Sequence, residues 1–210
     1  MPAPAVSISA PPESTQLRAR ILRQARRDFF RQGYSREIAT ESVRSPDGRY
    51  AVVAGDGLLT LVTPRSSREL QVAAMRGLSE VVWSPDAMAF AVNWTDGGAV
   101  GTWLSDVFVI EDDDVARHLY IRDMVLPHLD GFTRCDEPEG ANVALAGWLA
   151  GGREMLVVAQ VPPHSSCRNM GEQRGLRIDL ATGRILEQMT ERELWSRYRP
   201  LLVVPGGEEE

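Results

Sequence analysis

The chain has 210 residues, of which 43% are apolar, so it can bury the core of one domain of ordinary size. Its formal net charge of −6 argues against a molecule whose whole surface binds nucleic acid. No apolar run approaches the roughly 18–20 residues that a membrane-spanning helix needs, so we expect no transmembrane segment.

The first 34 residues predict a flexible lead followed by a basic helix. Residues 1–13 are rich in Ala, Pro and Ser and contain no apolar stretch typical of a signal peptide. Ser14 or Thr15 can cap a helix over residues 14–34, and Gly33 can end it. One face of this helix is apolar, with residues spaced four apart at Leu17, Ile21, Ala25 and Phe29.

Two interpretations of this helix remain open. Residues 14–36 contain seven arginines and one aspartate, a net charge of +6, which leaves −12 for the rest of the chain. Such an asymmetry predicts that the segment docks either on the acidic body or on an external anion. The helix therefore either lies against the β domain as a surface helix or binds an anionic membrane or an acidic partner.

From residue 41 onwards the pattern is that of strands and tight turns. Ser45-Pro46-Asp47-Gly48 fits a type I turn, because Ser, Pro, Asp and Gly each suit their position. The turn recurs 39 residues later at Ser84-Pro85-Asp86, where Ala87 replaces the glycine, and a weaker copy lies at 147–152. The predicted strands are 50–54, 58–62, 69–72, 89–94, 103–110, 153–161, 176–180 and 184–187, with 118–125 a strand or a short helix.

The end of the chain predicts a second helix. Thr190 and Glu193 form a capping box for a short helix that ends near Tyr198, before Pro200. Residues 201–210 are predicted to be an acidic tail.

A β unit of about 40 residues has the size of one four-stranded propeller blade. The Ser-Pro-Asp-Gly turn after an apolar lead resembles the repeat of TolB-type propellers, which are relatives of the tryptophan-aspartate repeats. The resemblance covers about residues 41–187 and implies a mostly β domain over 41–200. Its three blade-like units are expected at about 41–80, 81–125 and 141–190. Because closed propellers have four to eight blades, three units predict a partial or open arrangement.

The two cysteines are predicted to form a disulfide bond. If the third unit turns at residues 151–152, opposed residues in its hairpin sum to about 303, and Cys135 and Cys167 sum to 302. A disulfide favours an oxidising compartment, such as the periplasm or the cell exterior. The rival interpretation is a metal or catalytic cluster of Cys135, His164 and Cys167, although the spacing matches no paired Cys-x-x-Cys motif.

The stretch between Trp94 and Trp103 is the most unusual loop of the chain. Two tryptophans flank a glycine-rich segment that carries Asp96, an arrangement that fits a ligand or partner site with aromatic walls. The alternative is a long hairpin whose tryptophans pack between sheets. His164 completes the set of candidate binding residues.

These observations favour a non-enzymatic binding or interaction module without a cofactor or metal. The TolB-type resemblance implies a scaffold of this kind, and no Gly-x-Ser-x-Gly nucleophile motif is present. The partner is expected to be a protein or a small ligand, not a nucleic acid. The first alternative is an enzyme or metal-binding protein that uses the Cys135, His164 and Cys167 cluster. The second is a structural domain that completes its ring of sheets as a homodimer.

Overall fold

The computed structural model describes residues 41–55, 58–72, 79–95, 102–112, 114–136, 140–162 and 165–202. The predicted lead, the basic helix over 14–34 and residues 203–210 of the predicted tail lie outside the described residues. Among the described residues, none of the helices has the length and apolar character needed to cross a membrane.

Three antiparallel sheets of four strands follow one another along the chain. In each sheet the strands lie side by side in sequence order. The first sheet contains β1 (Glu41–Arg44), β2 (Ala51–Gly55), β3 (Leu58–Val62) and β4 (Ser67–Leu70). The second contains β5 (Ser79–Trp83), β6 (Ala89–Thr95), β7 (Trp103–Glu111) and β8 (Asp114–Tyr120). The third contains β9 (Asn142–Leu149), β10 (Glu154–Gln160), β11 (Gln173–Asp179) and β12 (Ile185–Thr190).

The mostly β class and the repeated four-stranded sheets are therefore confirmed, and the described sheets do not close into a ring. Several predicted bounds needed correction, including those of β11, β12 and the C-terminal helix. β4 begins and ends two residues before the predicted strand 69–72, and the segment 118–125 is both a strand end and a helix. That helix, α1 (Ile121–Val125), buries Ile121 and Val125 between the second and third sheets.

The predicted turns form in both copies with the same hydrogen bonds. Ser45 Oγ donates to Asp47 Oδ1 at 2.7 Å and accepts from the Tyr50 amide at 3.0 Å. Ser84 repeats these bonds with Asp86 Oδ1 at 2.6 Å and the Ala89 amide at 2.9 Å. The serine and aspartate thus hold the entry to β2 and β6, and this structural role accounts for their recurrence.

The residue after each aspartate has a left-handed backbone. Gly48 has a φ of 74° and Ala87 a φ of 60°. An L-residue with a Cβ is disfavoured in this region by about 1–2 kcal/mol, so the second turn retains the geometry of the first at a conformational cost. Ala87 is fully buried, and its methyl group partly offsets that cost by packing.

The sheets stack face to face in chain order. The first core cluster lies between the second and third sheets and includes Val107 and Val157. The second lies between the first and second sheets and includes Leu61 and Phe90. Alternate residues of the second sheet thus enter two different cores, because successive side chains of a strand point to opposite faces.

One tryptophan links the second sheet to the first, and another links the third sheet to the second. Trp83 Nε1 donates to the carbonyl of Val43 at 3.2 Å, and Trp148 Nε1 donates to the carbonyl of Val82 at 3.1 Å. Val43 and Val82 each precede the turn serine by two residues, and Trp83 precedes Ser84 directly. The two junctions are therefore equivalent, and the weak third copy of the repeat is a real structural counterpart of the second.

The third sheet ends against α2 (Glu191–Leu202). The capping box is present, because the Thr190 amide donates to Glu193 Oε2 at 2.9 Å and the Glu193 amide donates back to Thr190 Oγ1. The helix was predicted to end near Tyr198, before Pro200. Tyr198 leaves helical geometry, but the helix continues through Pro200 to Leu202, so residues 201–202 of the predicted tail are helical. Leu194 and Tyr198 pack on the outer face of the third sheet, so α2 covers that face.

Candidate binding surface on the second sheet

Side chains from three adjacent strands of the second sheet converge on one carboxylate. Val92 of β6 and Tyr120 of β8 lie directly opposite Asp106 in the sheet register. Trp94 is two residues beyond Val92, and His118 is two residues before Tyr120. Because residues two apart share a face, all of these side chains lie on the side of the sheet that carries Asp106.

Asp106 accepts a hydrogen bond on each of its carboxylate oxygens. Trp94 Nε1 donates to Oδ2 at 2.6 Å, and His118 Nε2 lies 2.8 Å from Oδ1. The Asp106 side chain is 7% exposed and that of His118 is 19% exposed. A buried carboxyl group is tolerated when both of its oxygens have hydrogen-bond partners, so this arrangement holds Asp106 and both rings in place.

The pairing also fixes the tautomer of His118. A carboxylate can only accept a hydrogen bond, so Nε2 carries the proton in this contact. In the corresponding neutral tautomer Nδ1 is the acceptor nitrogen. The contact with Asp106 thus occupies Nε2 and defines Nδ1 as the other nitrogen that the His118 ring presents.

An aromatic column connects this imidazole to the surface. The rings of Phe90 and Phe108 stack with centroids 5.1 Å apart, and the Phe108 and His118 rings stack at 4.3 Å. Tyr120 follows at 4.2 Å from His118 and is 54% exposed. The column begins in the core between the first two sheets and ends on an exposed tyrosine. We call His118 and Tyr120, with Asp106 beneath them, the His118 surface.

The predicted loop site is described only at its ends. Trp94 is 9% exposed and belongs to the core cluster between the first and second sheets. Trp103 is half-buried, and its amide donates to Asn142 Oδ1 at 3.0 Å. Asp96 and His164 lie outside the described residues, so a ligand site that includes them stays a prediction.

The two cysteines lie at disulfide distance, with their sulfur atoms 2.00 Å apart. The register of the third sheet explains why they meet. Opposed residues of β9 and β10 sum to 303 up to Leu156 and, after a bulge, to 302 from Val157 onwards, which is the sum of Cys135 and Cys167. The bond joins the segment after α1 to the connection between β10 and β11.

This bond bears on the alternative of a catalytic or metal-binding cluster. A sulfur in a disulfide is neither a thiolate nucleophile nor a metal ligand. Within the described part of the chain, no three His, Cys, Asp or Glu side chains are grouped to hold a metal ion.

Sequence reasoning missed Asp106, His118 and Tyr120 as a group. The signal for Asp106 was present, because it is the one acidic residue within the strand of residues 103–110, whose other members are apolar apart from Ser105. A carboxylate in such a strand needs a partner. The identity of that partner depends on the pairing of β7 with β8, which contains a bulge between Val109 and Ile110.

Comparisons with known proteins leave the family open. No protein-family model matches the chain, and no curated protein matches it either. Among solved structures, it is similar to one described as a crystal structure of the eukaryotic initiation factor, at 13% identity and a TM-score of 0.28. That alignment covers 76% of this chain and 46% of the other, so the chain spans less than half the length of that protein. A likeness with so low a TM-score carries no conclusion about fold or function.

Proposed function

We propose that this chain is a non-enzymatic interaction module, built from three TolB-type units, that binds a protein partner at the His118 surface. The observation that carries the proposal is the exposed Tyr120, whose ring lies against an imidazole that a buried carboxylate holds in place, with the two centroids 4.2 Å apart and the ring planes tilted by 39°. Rigid aromatic side chains beside an oriented polar group are typical of the residues that dominate binding energy at protein interfaces.

The position of these residues favours an extended segment of the partner. β8 is the outer strand of the second sheet and, among the described residues, pairs only with β7. An outer strand can accept a further strand through main-chain hydrogen bonds, and neighbouring side chains then supply specificity. Tyr120 and His118 lie two residues apart on the same face of β8. They can therefore contact two successive side chains on one face of such a segment.

The cysteine pair supports a location for this module. Cys135 and Cys167 lie at disulfide distance, and such bonds persist in oxidising compartments. The proposal therefore places the chain and its partner in the periplasm or outside the cell.

A displayed library of random peptides tests the proposal directly. Peptides selected on the wild-type protein should bind the Tyr120→Ala variant at least about 30-fold more weakly, which corresponds to a hot spot of about 2 kcal/mol. The matched control is Met170→Ala, because Met170 is similarly exposed (55%) and lies in the connection between β10 and β11. A library that yields no binder, or peptides that bind both variants equally, would contradict the proposal.

A further inference from the structure

We propose that residues 14–34 of the chain dock as a helix on the outer face of the first sheet. This face consists of the side chains that point away from the second sheet. It has two rows across the strands, Ser42, Val53, Thr60 and Glu69 in one and Arg44, Ala51, Val62 and Ser67 in the other. We call it the outer face.

The outer face has an apolar centre and a polar rim. Val53 and Val62 lie at its centre and are half-buried, whereas Arg44 and Glu69 at the edges are exposed. Among the described residues, none of the three core clusters includes a side chain from these two rows. An amphipathic helix can lay its apolar side on Val53, Ala51 and Val62 and leave its charged side in water.

The opposite end of the stack shows how this protein covers such a face. α2 follows the last strand of the third sheet and places Leu194 on the outer side, next to Gly175. A Cβ at Gly175 would lie 2.8 Å from Leu194 Cδ1, so the helix approaches the sheet backbone closely there. A stack of sheets needs a cover at each end, and repeat proteins use distinct terminal elements for that purpose.

The size of the outer face favours a tethered occupant over a free one. Four strands of about five residues span roughly 19 Å by 16 Å, or about 300 Å². Two copies that paired through this face would bury about 600 Å² in total, well below the roughly 1,000 Å² of a specific interface. A segment joined to the sheet by a short linker has an effective concentration in the millimolar range and needs far less contact area.

The N-terminal segment fits the outer face in reach, length and pattern. Only residues 35–40 separate it from β1, and they can span about 20 Å. In a helix, Leu17 and Phe29 are about 18 Å apart along the axis, which matches the dimensions of the sheet. The segment carries a net charge of +5 over residues 14–34, and the total of −6 leaves −11 for the rest of the chain, so attraction favours contact with the body.

Paramagnetic broadening in the full chain tests this docking. A nitroxide is attached to Arg23→Cys, on the helix side opposite Leu17 and Ile21, with the native disulfide intact. We expect strong broadening of the methyl signals of Val53 and Val62 and none of Leu194 at the other end. Ile21→Asp should abolish the broadening, and Ala19→Asp, on the far side of the helix, should leave it in place.

Three outcomes would overturn the proposal. The first is that the Val53 and Val62 signals stay sharp in the labelled chain. The second is broadening in a mixture in which the nitroxide and the observed methyl groups are on different molecules, which would identify a second copy as the occupant. The third combines two observations: the Val53 and Val62 signals stay sharp, and the chain cosediments with phosphatidylserine vesicles. If Ile21→Asp abolishes the cosedimentation, the helix binds membranes instead of the outer face.

Discussion

Asn93 joins the second and third sheets through two buried hydrogen bonds. Its side-chain amide donates to the Leu145 carbonyl at 2.9 Å, and its Oδ1 accepts from the Leu145 amide at 2.9 Å. Asn93 is 2% exposed and Leu145 is fully buried. In Asn93→Ala both backbone groups of Leu145 lose a partner, and each orphaned group costs about 1–3 kcal/mol. We expect a loss of about 2–6 kcal/mol in the free energy of unfolding, a large part of the roughly 5–15 kcal/mol typical of a domain.

Asn93→Asp gives the sharper test because its effect depends on pH. The carboxylate keeps the bond from the Leu145 amide but places its second oxygen against the Leu145 carbonyl, at a cost of about 3–5 kcal/mol for a buried charge without compensation. Burial raises the pKa of the introduced carboxyl, and the protonated form can donate to that carbonyl again. The Asn93→Asp variant is therefore more stable at low pH. It loses stability as the pH rises through the raised pKa of the introduced carboxyl. The deficit relative to wild type should shrink by up to about 1.4 kcal/mol for each pH unit between pH 7 and pH 5.

Urea unfolding monitored by tryptophan fluorescence measures both variants beside the wild type at each pH. The control is Asn142→Asp, because Oδ1 of Asn142 accepts from the Trp103 amide and a carboxylate can keep that bond. Its deficit at pH 7 should be smaller than that of Asn93→Asp. The reasoning is refuted if Asn93→Asp unfolds like the wild type at pH 7, or if its deficit is unchanged at pH 5.

Three further predictions concern the turns, the disulfide and acid stability. Gly48→Ala should lower the free energy of unfolding by about 1–2 kcal/mol, because no atom lies within 4 Å of the new Cβ and only the left-handed backbone opposes it. The free energy of unfolding of Ala87→Gly should stay within about 1 kcal/mol of wild type. Glycine removes the strain of the left-handed backbone, and this gain offsets the lost packing of the methyl group and the greater flexibility of the unfolded chain. Equal losses of stability in Gly48→Ala and Ala87→Gly would contradict this. Replacing Cys135 and Cys167 by serine should cost about 3.5–4 kcal/mol in chemical denaturation, and a mass spectrum showing two free thiols in the native protein would remove the basis for that value. Partial burial raises the pKa of Asp47, but hydrogen bonds from the Ser45 hydroxyl and the Arg49 side chain prevail and lower it to about 2. Its contribution to stability is therefore present above about pH 4 and lost as the pH falls to 2, and Asp47→Asn should flatten that part of the acid-unfolding curve.

Features that depend on neighbouring residues could be predicted from the sequence. The turn at Ser45 and the capping box at Thr190 are local hydrogen-bond patterns, and both formed as expected. The cysteine pairing was also accessible, because a tight hairpin fixes the sum of opposed residue numbers. The bulge after Leu156 supplied the remaining difference of one residue.

Features that depend on packing between strands could not be predicted in this way. β4 lies at the edge of its sheet and only Leu70 is buried, so its residues show too little alternation to fix its ends. Asp106 meets His118 only because of the register between β7 and β8. The alternation of residues within one strand does not reveal how that strand is aligned with its neighbour. The His118 surface could therefore be recognised only in the folded chain.

The same tryptophan contact occurs at both junctions between the described sheets. Three stacked sheets have two junctions, and Trp83 and Trp148 each serve one of them. In the first sheet the equivalent position is Arg44, which is exposed and suits a surface rather than a further junction. The tryptophan that forms the other two junctions is thus replaced by an arginine at this position of the first sheet. The repeat builds the frame through positions that recur, and the two binding surfaces that we propose lie where residues depart from it, on β8 and on the outer face.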